Sequence, residues 1–251
     1  MNSKEKFTGK VAEYVKYRPG YPQEFIDYLF RDVGLDGTAV VADIGAGTGI
    51  LTRQLGGRVR RIYAVEPNAA MRAACEAHCR DLENVVTVDG SAEDTTLPDH
   101  SVDFITVAQA FHWFDRDMAE LEFRRILKPH GKVILVWNRR AADSELVQAT
   151  DALFQRLCPD FGGFSNGLGT SPETFRDFFR NGSCEYRVFD NDRVLTLESY
   201  IGGNLSASYA PAAQDETRDF FVAALTELFH RYSRNGQLLL PNKTHCYIGE
   251  V

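Results

Sequence analysis

Apolar residues fall into short runs between residue 36 and about residue 140, and these runs alternate with longer stretches at helical spacing. Buried strands are predicted in TAVVADIG, RIYAVEP, VVTVDG, VDFITVAQA and GKVILVWN. Helices are predicted between them in GILTRQLGGR, AAMRAACEAHCRD and DMAELEFRRIL. Strands and helices in this order need crossover connections, which favour a parallel sheet covered by helices on both faces. The pattern therefore predicts a Rossmann-like three-layer α/β sandwich.

The pattern changes after residue 140, where helices become more frequent than strands. Helices are predicted in ELVQATDALFQRL, SPETFRDFFR, LESYIGG and QDETRDFFVAALTELFHRYS. Strands are predicted in CEYRVFDNDRVLTL and THCYIGEV. No repeat or linker separates the two halves, so we expect one domain over residues 1–251.

The charge balance and the N-terminus limit the classes of partner. The chain has 28 basic and 35 acidic residues and a formal charge of −7, which disfavours nucleic acid because phosphate binding requires a basic face. The N-terminus MNSKEKFTGKVAEYVKYRPGYP is charged and aromatic, and no later run is long enough to span a membrane. We expect a cytoplasmic monomer or homodimer with no membrane partner.

The cysteines give no sign of a disulfide framework or a metal site. Five cysteines, an odd number, are scattered along the chain, which is typical of reduced thiols. CEAHC places Cys75 and Cys79 on one face of a predicted helix, but no second pair has zinc-ligand spacing. We expect no metal.

Three glycines follow the first predicted strand in VVADIGAGTG. Gly45, Gly47 and Gly49 can adopt positive φ and leave no side chain where the backbone must approach a ligand. The next helix begins near Thr48 and offers free backbone N–H groups. Since ligands of such sheets bind at the carboxyl ends of the strands, we expect this loop, including Ala46, to contact a cofactor.

The acids near the glycines indicate which cofactor binds. The dinucleotide fingerprint requires a third glycine where this chain has Ile50. Asp43, two residues before the first glycine, would repel a pyrophosphate but could stabilise a ligand ammonium. Glu66, at the end of the second strand, can accept hydrogen bonds from both hydroxyls of a ribose. These features predict a nucleoside that carries an amino group.

A set of motifs in this order, VADIGAGTG, YAVEPN, VDGSAED, VAQAFHWFD and ILKPHGKVILVWN, resembles the class I S-adenosylmethionine-dependent methyltransferases. The flanking EYVKYRPGYP and FHWFD are similar to the small-molecule branch, methyltransferase type 11, that includes trans-aconitate methyltransferase. The resemblance implies a seven-stranded, mostly parallel sheet with an antiparallel last strand and helical cap insertions. It also implies S-adenosyl-L-methionine as cofactor.

The resemblance implies a division of the chain by role. Residues 1–35 would form an N-terminal helical lid and residues 36–140 the cofactor-binding core. Residues 141–183 and 196–242 would form a helical cap over the substrate. Residues 184–195 and 243–251 would be the closing strands.

The resemblance also implies cofactor contacts. Gly45 and Gly47 would lie against the amino-acid part of the cofactor, Glu66 would hold the ribose, and Pro67 and Asn68 would border the adenine. Ser91 stands where the family often has an acid, so the partner of the adenine amino group stays open between the N–H of Ala92 and the carboxylate of Glu93, with Asp89 third. The remaining implied contacts are Gln109, Ala110, Phe111, and the lid residues Tyr14, Tyr17 and Arg18.

The acceptor side is predicted in FHWFD and in the stretch after Trp137. His112 could deprotonate a hydroxyl or bind a carboxylate, or it could instead orient the helix that follows. Trp113 is expected either as a pocket wall or as core. Arg139, or its neighbour Arg140, could meet an anionic small molecule or be solvated.

The sequence thus predicts transfer of a methyl group to an oxygen, preferably a carboxylate, of a small molecule by direct in-line displacement. Three alternatives stay open at this stage. They are methylation of a carrier-protein-bound acyl group or another macromolecule, a nicotinamide-dependent oxidoreductase, and a non-catalytic cofactor-binding protein.

Overall fold

The computed structural model describes residues 16–164, 171–207 and 209–251. Its strands form one sheet of seven strands and a separate ribbon of two strands. The strands in chain order are β1 Val40–Ile44, β2 Arg61–Val65, β3 Val85–Val88, β4 Val102–Ala108, β5 Leu127–Arg140, β6 Glu185–Asp190, β7 Arg193–Leu195, β8 Leu238–Leu240 and β9 Asn242–Gly249.

The order of strands across the large sheet is β3-β2-β1-β4-β5-β9-β6. The pairs from β3 to β5 are parallel, whereas β9 is antiparallel to both β5 and β6. This confirms the predicted Rossmann-like sheet of seven strands with an antiparallel last strand. The strand order reverses between β1 and β4, which is the point where ligands bind in open sheets of this kind.

Helices connect the strands in the predicted order. They are α1 Gln23–Tyr28, which continues as a π-helical turn Leu29–Val33, α2 Ile50–Gly56, α3 Ala69–Cys79, α4 Arg116–Ile126, α5 Glu145–Leu157, α6 Leu197–Leu205 and α7 Arg218–Tyr232. Short 3₁₀ turns cover Phe111–Trp113, Pro172–Phe178 and Arg180–Gly182. Asn68 and Asp115 cap α3 and α4 through their side chains.

Side chains of β5 alternate between two apolar layers, one on each face of the sheet. Ile134 and Val136 pack with α1 and α2, whereas Val133, Leu135 and Trp137 pack with α4 and the aromatic 3₁₀ turns. This alternation of period two is what a strand buried on both faces requires.

The N-terminal segment differs from the predicted lid over residues 1–35. Phe25 and Leu29 are fully buried and pack against the sheet. Helix α1 is therefore part of a layer of the sandwich, because its apolar side chains lose contact with water only there. Within the described residues, only the segment 16–22 remains available to cover the cleft.

A network of amides ties this segment to the sheet. The Nδ2 atom of Asn138 donates to the carbonyl oxygen of Gly20 at 3.1 Å. The Oδ1 atom of Asn138 accepts from Asn191 Nδ2 at 2.9 Å and from Thr244 Oγ1 at 2.5 Å. One side chain thus joins β5, β9 and the turn that precedes α1.

The predicted closing strand over residues 184–195 is divided into two. β6 pairs with β9 in the large sheet, but β7 leaves it and pairs antiparallel with β8. The interruption falls at Asn191 and Asp192, whose side chains hydrogen-bond to neighbouring segments instead of extending a strand. The β7–β8 ribbon and the helices α5, α6 and α7 pack around an apolar core that is separate from the two layers of the sandwich. We call these five elements the cap.

Candidate functional site

A cleft of three adjoining cavities opens at the carboxyl ends of β1, β4 and β5. The Glu66 cavity is lined by Glu66, Pro67, Asn68, Met71, Trp113 and Phe114, among others. The lining of the arginine cavity includes Tyr17, Arg18, Arg140, Arg193, Tyr200 and Asn242. The outer cavity is bordered by Arg139, Arg140, Asp143, Asp151, Lys243 and His245. Gly45, Gly47 and Gln109 lie between the first two, and Gln109 borders all three.

The three glycines of the loop serve different purposes. All three have positive φ, 69° at Gly45, 57° at Gly47 and 78° at Gly49. A Cβ at Gly45 would lie 2.5 Å from Cβ of Ala110, and one at Gly49 would lie 2.6 Å from Sγ of Cys75. A Cβ at Gly47 would meet no atom within 4 Å. Gly47 therefore faces the open cleft, whereas Gly49 is required by packing against α3.

Glu66 is 9% exposed, and its carboxylate lines a cavity whose other walls are largely apolar. Its two oxygens accept from the backbone N–H groups of Gly47 and Asn68, each at 2.9 Å. Burial raises the pKa of the carboxyl, while these two N–H donors oppose the rise. Each oxygen keeps a second lone pair, so the carboxylate can also accept from ligand hydroxyls.

Asp43 is held inside the sandwich and does not line the three cavities. Its carboxylate is 1% exposed and accepts from Thr52 Oγ1 at 2.5 Å and Thr106 Oγ1 at 2.7 Å. Its stabilisation of a ligand ammonium stays a prediction, and this burial leaves the carboxylate without an open face toward the cleft. Asp43 instead joins β1 to α2 and β4 on either side of the glycine loop.

The arginine cavity brings together Arg18, Arg140 and Arg193 from three separate segments. Arg140 Nη2 donates to Oδ1 of the buried Asn204 at 2.9 Å, and the guanidinium carbon lies 4.3 Å from the ring centre of Phe164. Arg193 donates to the carbonyl of Tyr17 at 3.2 Å. Burial lowers the pKa of both guanidinium groups, although arginine remains charged in proteins.

Comparison with known proteins identifies the family. Residues 42–135 match the model of a methyltransferase domain. The chain is 29% identical over 248 residues to a methyltransferase-like protein of Schizosaccharomyces pombe, covering 97% of this chain and 94% of that protein. It is 32% identical over 149 residues to a methyltransferase of Bacillus licheniformis, covering 56% of this chain and 69% of that protein. The chain belongs to the class I methyltransferases.

Solved structures show the same fold. A protein from Anaeromyxobacter dehalogenans described as a type II methyltransferase superposes with a TM-score of 0.68 at 22% identity. The alignment covers 93% of this chain and 98% of the bacterial chain. The phosphoethanolamine N-methyltransferase 2 of Haemonchus contortus, in complex with phosphomonomethylethanolamine and S-adenosylhomocysteine, superposes with a TM-score of 0.58 at 15% identity. This alignment covers 98% of this methyltransferase and 58% of the nematode enzyme.

The predicted adenine contacts of the methyltransferase meet in one place. Ser91, Ala92 and Glu93 line the Glu66 cavity opposite Pro67 and Asn68. Glu93 Oε1 accepts from the backbone N–H of Asp115 at 3.1 Å, whereas Asp89 forms an ion pair with Arg72 at 3.0 Å and does not border this cavity. Ala92 and Glu93 thus stay candidates for the partner of the adenine amino group, and Asp89 does not.

The residues after β4 separate into two groups. Gln109, at φ 61°, and Ala110 border the cleft, and Gln109 Nε2 donates to the carbonyl of Asn138 at 3.1 Å. Phe111 is fully buried and packs edge-on against Phe178, with ring centres 4.5 Å apart. The ring of Phe111 fills the apolar layer beneath the cleft, and a cofactor contact at this position stays a prediction.

The candidate catalytic residues are spread over the site. Trp113 lines the Glu66 cavity, whereas Arg139 borders the outer cavity. His112 lines none of the three cavities, and its imidazole packs against Trp113 with the rings tilted by 43° and their centres 4.7 Å apart. Burial, with a smaller contribution from Arg139, lowers the pKa of His112 to about 4. This environment favours the structural interpretation of His112 over a general base.

The lid residues are described in part. Tyr17 and Arg18 border the arginine cavity, where Arg18 Nη2 donates to the carbonyl of Ser206 at 3.3 Å. The Tyr17 hydroxyl donates to Glu198 on α6 at 3.0 Å. Tyr14 lies outside the described residues. Ala46 and Thr48, from the glycine loop, border the same cavity.

Sequence reasoning missed Arg193, Asn204 and Asn242 in the arginine cavity, and Met71 in the Glu66 cavity. Met71 could have been found, because it lies three residues after Asn68 and faces the same side as the helix start. Arg193 carried no signal, since its position depends on β7 leaving the large sheet.

Within residues 16–164, 171–207 and 209–251, no group of three His, Cys, Asp or Glu side chains is placed to hold a metal ion. Over the same residues, no helix is both long and apolar enough to cross a bilayer.

Proposed function

We propose that this protein transfers the methyl group of S-adenosylmethionine to an oxygen, preferably of a carboxylate, on a small anionic molecule. The supporting observation is the arrangement of the cleft. A cavity with one buried acid and apolar walls adjoins, across Gly45, Gly47 and Gln109, a cavity that contains three arginines.

The residues of the Glu66 cavity fit the nucleoside part of this cofactor. Glu66 offers acceptor lone pairs for the two ribose hydroxyls, and Met71, Trp113 and Phe114 form apolar walls suited to a purine. The open space at Gly47 leaves room for the chain of the cofactor to pass toward the arginine cavity. Arg18 is the candidate partner of the cofactor carboxylate, since a guanidinium binds a carboxylate through two parallel hydrogen bonds.

When bound, S-adenosylmethionine supplies a methyl group on a sulfonium, which an acceptor oxygen takes directly to give a methyl ester and S-adenosylhomocysteine. A carboxylate is ionised at neutral pH, so no side chain has to remove a proton from it. The protein then contributes mainly position and the exclusion of water. This accords with the low pKa of His112 and its place outside the cavities.

The test is release of S-adenosylhomocysteine from S-adenosylmethionine in the presence of a cell extract separated by ultrafiltration. We expect release with the small-molecule fraction. Glu66→Gln, which keeps the size of the side chain, is the cofactor-site control, and Glu83→Gln on the exposed loop before β3 is the matched surface control. Release with the retained fraction alone would move the acceptor to a carrier protein, another protein or RNA.

A further inference from the structure

The two thiols of CEAHC lie directly beneath the glycine loop. Cys75 and Cys79 are 0% and 3% exposed and lie on the same side of α3, four residues apart. A Cβ at Gly49 would lie 2.6 Å from Sγ of Cys75 and 3.3 Å from Sγ of Cys79, so both sulfurs meet the loop at one residue. Ala46, which lines the arginine cavity, packs against the same pair. Only the loop therefore separates the thiols from the cleft on this side.

The last turn of α3 is also joined to the loop by a hydrogen bond. The Nδ1 atom of His78 donates to the carbonyl oxygen of Thr48 at 3.0 Å. Arg53 on α2 donates to the carbonyl of His78 at 2.6 Å and pairs with Asp81 just beyond the helix, also at 2.6 Å. A movement of this turn would therefore reach the loop both at Thr48 and at Gly49.

The two thiols differ in their chemistry. The hydrogen bond from the Cys75 thiol, with a smaller contribution from the guanidinium of Arg53, lowers the pKa of the Cys79 thiol against the opposing effect of burial. The same hydrogen bond, together with burial, raises the pKa of Cys75. Because the thiolate is the nucleophilic form of cysteine, Cys79 is the sulfur that reacts first with an oxidant.

We infer that Cys75 and Cys79 form a reversible disulfide when the glycine loop opens to a peroxide, and that this bond weakens cofactor binding. The effect on the cofactor rests on the proposed function, whereas formation of the bond does not. Cβ atoms four residues apart on a helix are separated by about 5–6 Å, but a disulfide requires about 3.5–4.5 Å. Closing the bond must therefore tighten the last turn of α3 and change the contacts of both sulfurs and of His78 with the loop.

One molecule of hydrogen peroxide accounts for every atom and electron of this step. The Cys79 thiolate attacks a peroxide oxygen, so that a sulfur–oxygen bond forms, the oxygen–oxygen bond breaks, and the hydroxide released becomes water by taking up a proton. The Cys75 sulfur then attacks the sulfenic acid at Cys79. The sulfur–sulfur bond forms, the sulfur–oxygen bond breaks, and the departing hydroxide takes the Cys75 proton as a second water. Two electrons pass from the sulfurs to the peroxide, and a dithiol reductant reverses the change by thiol–disulfide exchange.

Mass spectrometry after treatment with hydrogen peroxide tests the bond itself. Trypsin cuts after Arg72 and Arg80, so residues 73–80 form one peptide that contains both thiols of the pair and no other cysteine. With free thiols blocked before digestion, we expect this peptide to be lighter than the dithiol by two hydrogen atoms, and to return to the dithiol after treatment with dithiothreitol. A peptide that keeps both thiols, or that is oxidised only to sulfonic acids, would overturn the inference.

Calorimetry with S-adenosylhomocysteine tests the consequence of the bond. We expect the oxidised protein to bind at least about tenfold more weakly than the reduced protein, with recovery in dithiothreitol. Cys79→Ser should keep its affinity after peroxide, whereas Cys184→Ser, which removes a half-buried thiol outside the pair, should lose affinity as the wild type does. By linkage, saturating S-adenosylhomocysteine should shift the equilibrium between dithiol and disulfide toward the dithiol by the same factor.

Unchanged affinity in wild-type protein that carries the disulfide would refute the coupling, and this comparison does not depend on any variant folding. An equal loss of affinity in peroxide-treated Cys79→Ser would place the responsible oxidation elsewhere and would also overturn the inference. Failure of the proposed function is distinguishable. The reduced protein would then not bind S-adenosylhomocysteine, while the mass of the peptide 73–80 would still report the bond.

Discussion

Glu66 holds the glycine loop and is the residue proposed to bind the ribose of the cofactor. Its carboxylate already accepts from the N–H groups of Gly47 and Asn68, so its charge organises the glycine loop before a ligand arrives. The sequence predicted a ribose contact for Glu66 from its place at a strand end, and this contact stays a prediction. The bond to Gly47 could not be predicted, because it depends on the path of the loop.

Glu66→Gln should weaken binding of S-adenosylhomocysteine at least about tenfold, since hydrogen bonds to a charged acceptor contribute about 1.5–3 kcal/mol each. Calorimetry measures this affinity, and Glu83→Gln should leave it unchanged. Equal affinity in the Glu66 variant and the wild type would refute the ribose assignment.

His112 and His245 make stability depend on pH. Burial lowers the pKa of each from 6.5 to about 4, so the folded chain resists protonation that the unfolded chain accepts. The free energy of unfolding should therefore be constant above about pH 7 and fall as the pH drops from about 6.5 to about 4. Thermal melts over this range measure the slope.

His112→Gln should make that slope smaller, because it removes one of the two groups. In NMR titrations neither imidazole should change its charge above pH 5. A His112 resonance that titrates near pH 6.5 would contradict the assigned burial and would reopen its role as a base.

At the scale of elements, the turn between β1 and α2 divides its glycines between function and packing. Their positive φ could be expected from the spacing, but the neighbour of each could not. Gly49 packs on Cys75 of α3, an element two connections away in the chain. The spacing of the glycines predicts a loop without side chains. The requirement for Gly49, however, follows only from the position of α3.

Gly49→Ala should destabilise the protein by about 2 kcal/mol or more, because a left-handed alanine is strained and its Cβ would collide with Cys75. Gly47→Ala should cost only about 1 kcal/mol of backbone strain but should weaken S-adenosylhomocysteine binding. Chemical denaturation and calorimetry separate the two effects. Equal losses of stability in both variants would contradict the assignment of Gly49 to packing and of Gly47 to ligand binding.

The amide network of Asn138 joins three elements and should act as a unit. Asn138→Ala should destabilise the fold by about 2–3 kcal/mol, because it leaves the buried Thr244 hydroxyl without its acceptor. In a double-mutant cycle, Asn138→Ala and Thr244→Val should be less than additive. Simple additivity, measured by denaturant unfolding, would show that the network contributes no coupling.

For the whole molecule, the sandwich was predictable because hydrophobic periodicity specifies parallel strands and their connections. The cap was predictable only as a set of helices, since nothing local indicates that β7 leaves the sheet to pair with β8. The arginine cavity could not be predicted for the same reason. Its three guanidinium groups come from segments that are distant in the chain.

Binding of S-adenosylhomocysteine should stabilise the whole fold by mass action. At a concentration of 100 times Kd the gain is about 2.7 kcal/mol, which raises Tm by roughly 5–10 °C for a chain of this size. Differential scanning fluorimetry measures the shift, with adenosine alone as a weaker comparison. No shift at saturating concentration would refute the cofactor assignment.

The segment between β6 and β9 leaves the large sheet and contributes β7, β8 and two helices of the cap. The chain leaves the large sheet at Asp190 and returns at Asn242, where the N–H of Asn191 donates to the carbonyl of Asn242 at 2.9 Å and the N–H of Asn242 donates to Asp192 Oδ1 at 2.9 Å. These two hydrogen bonds join the ends of the segment between β6 and β9. The segment is therefore connected to the large sheet in the way that a hairpin loop is connected to its two strands. We expect insertions or deletions within residues 193–240 to alter the arginine cavity, which Arg193 and Asn204 line, and to leave the strands of the large sheet in place.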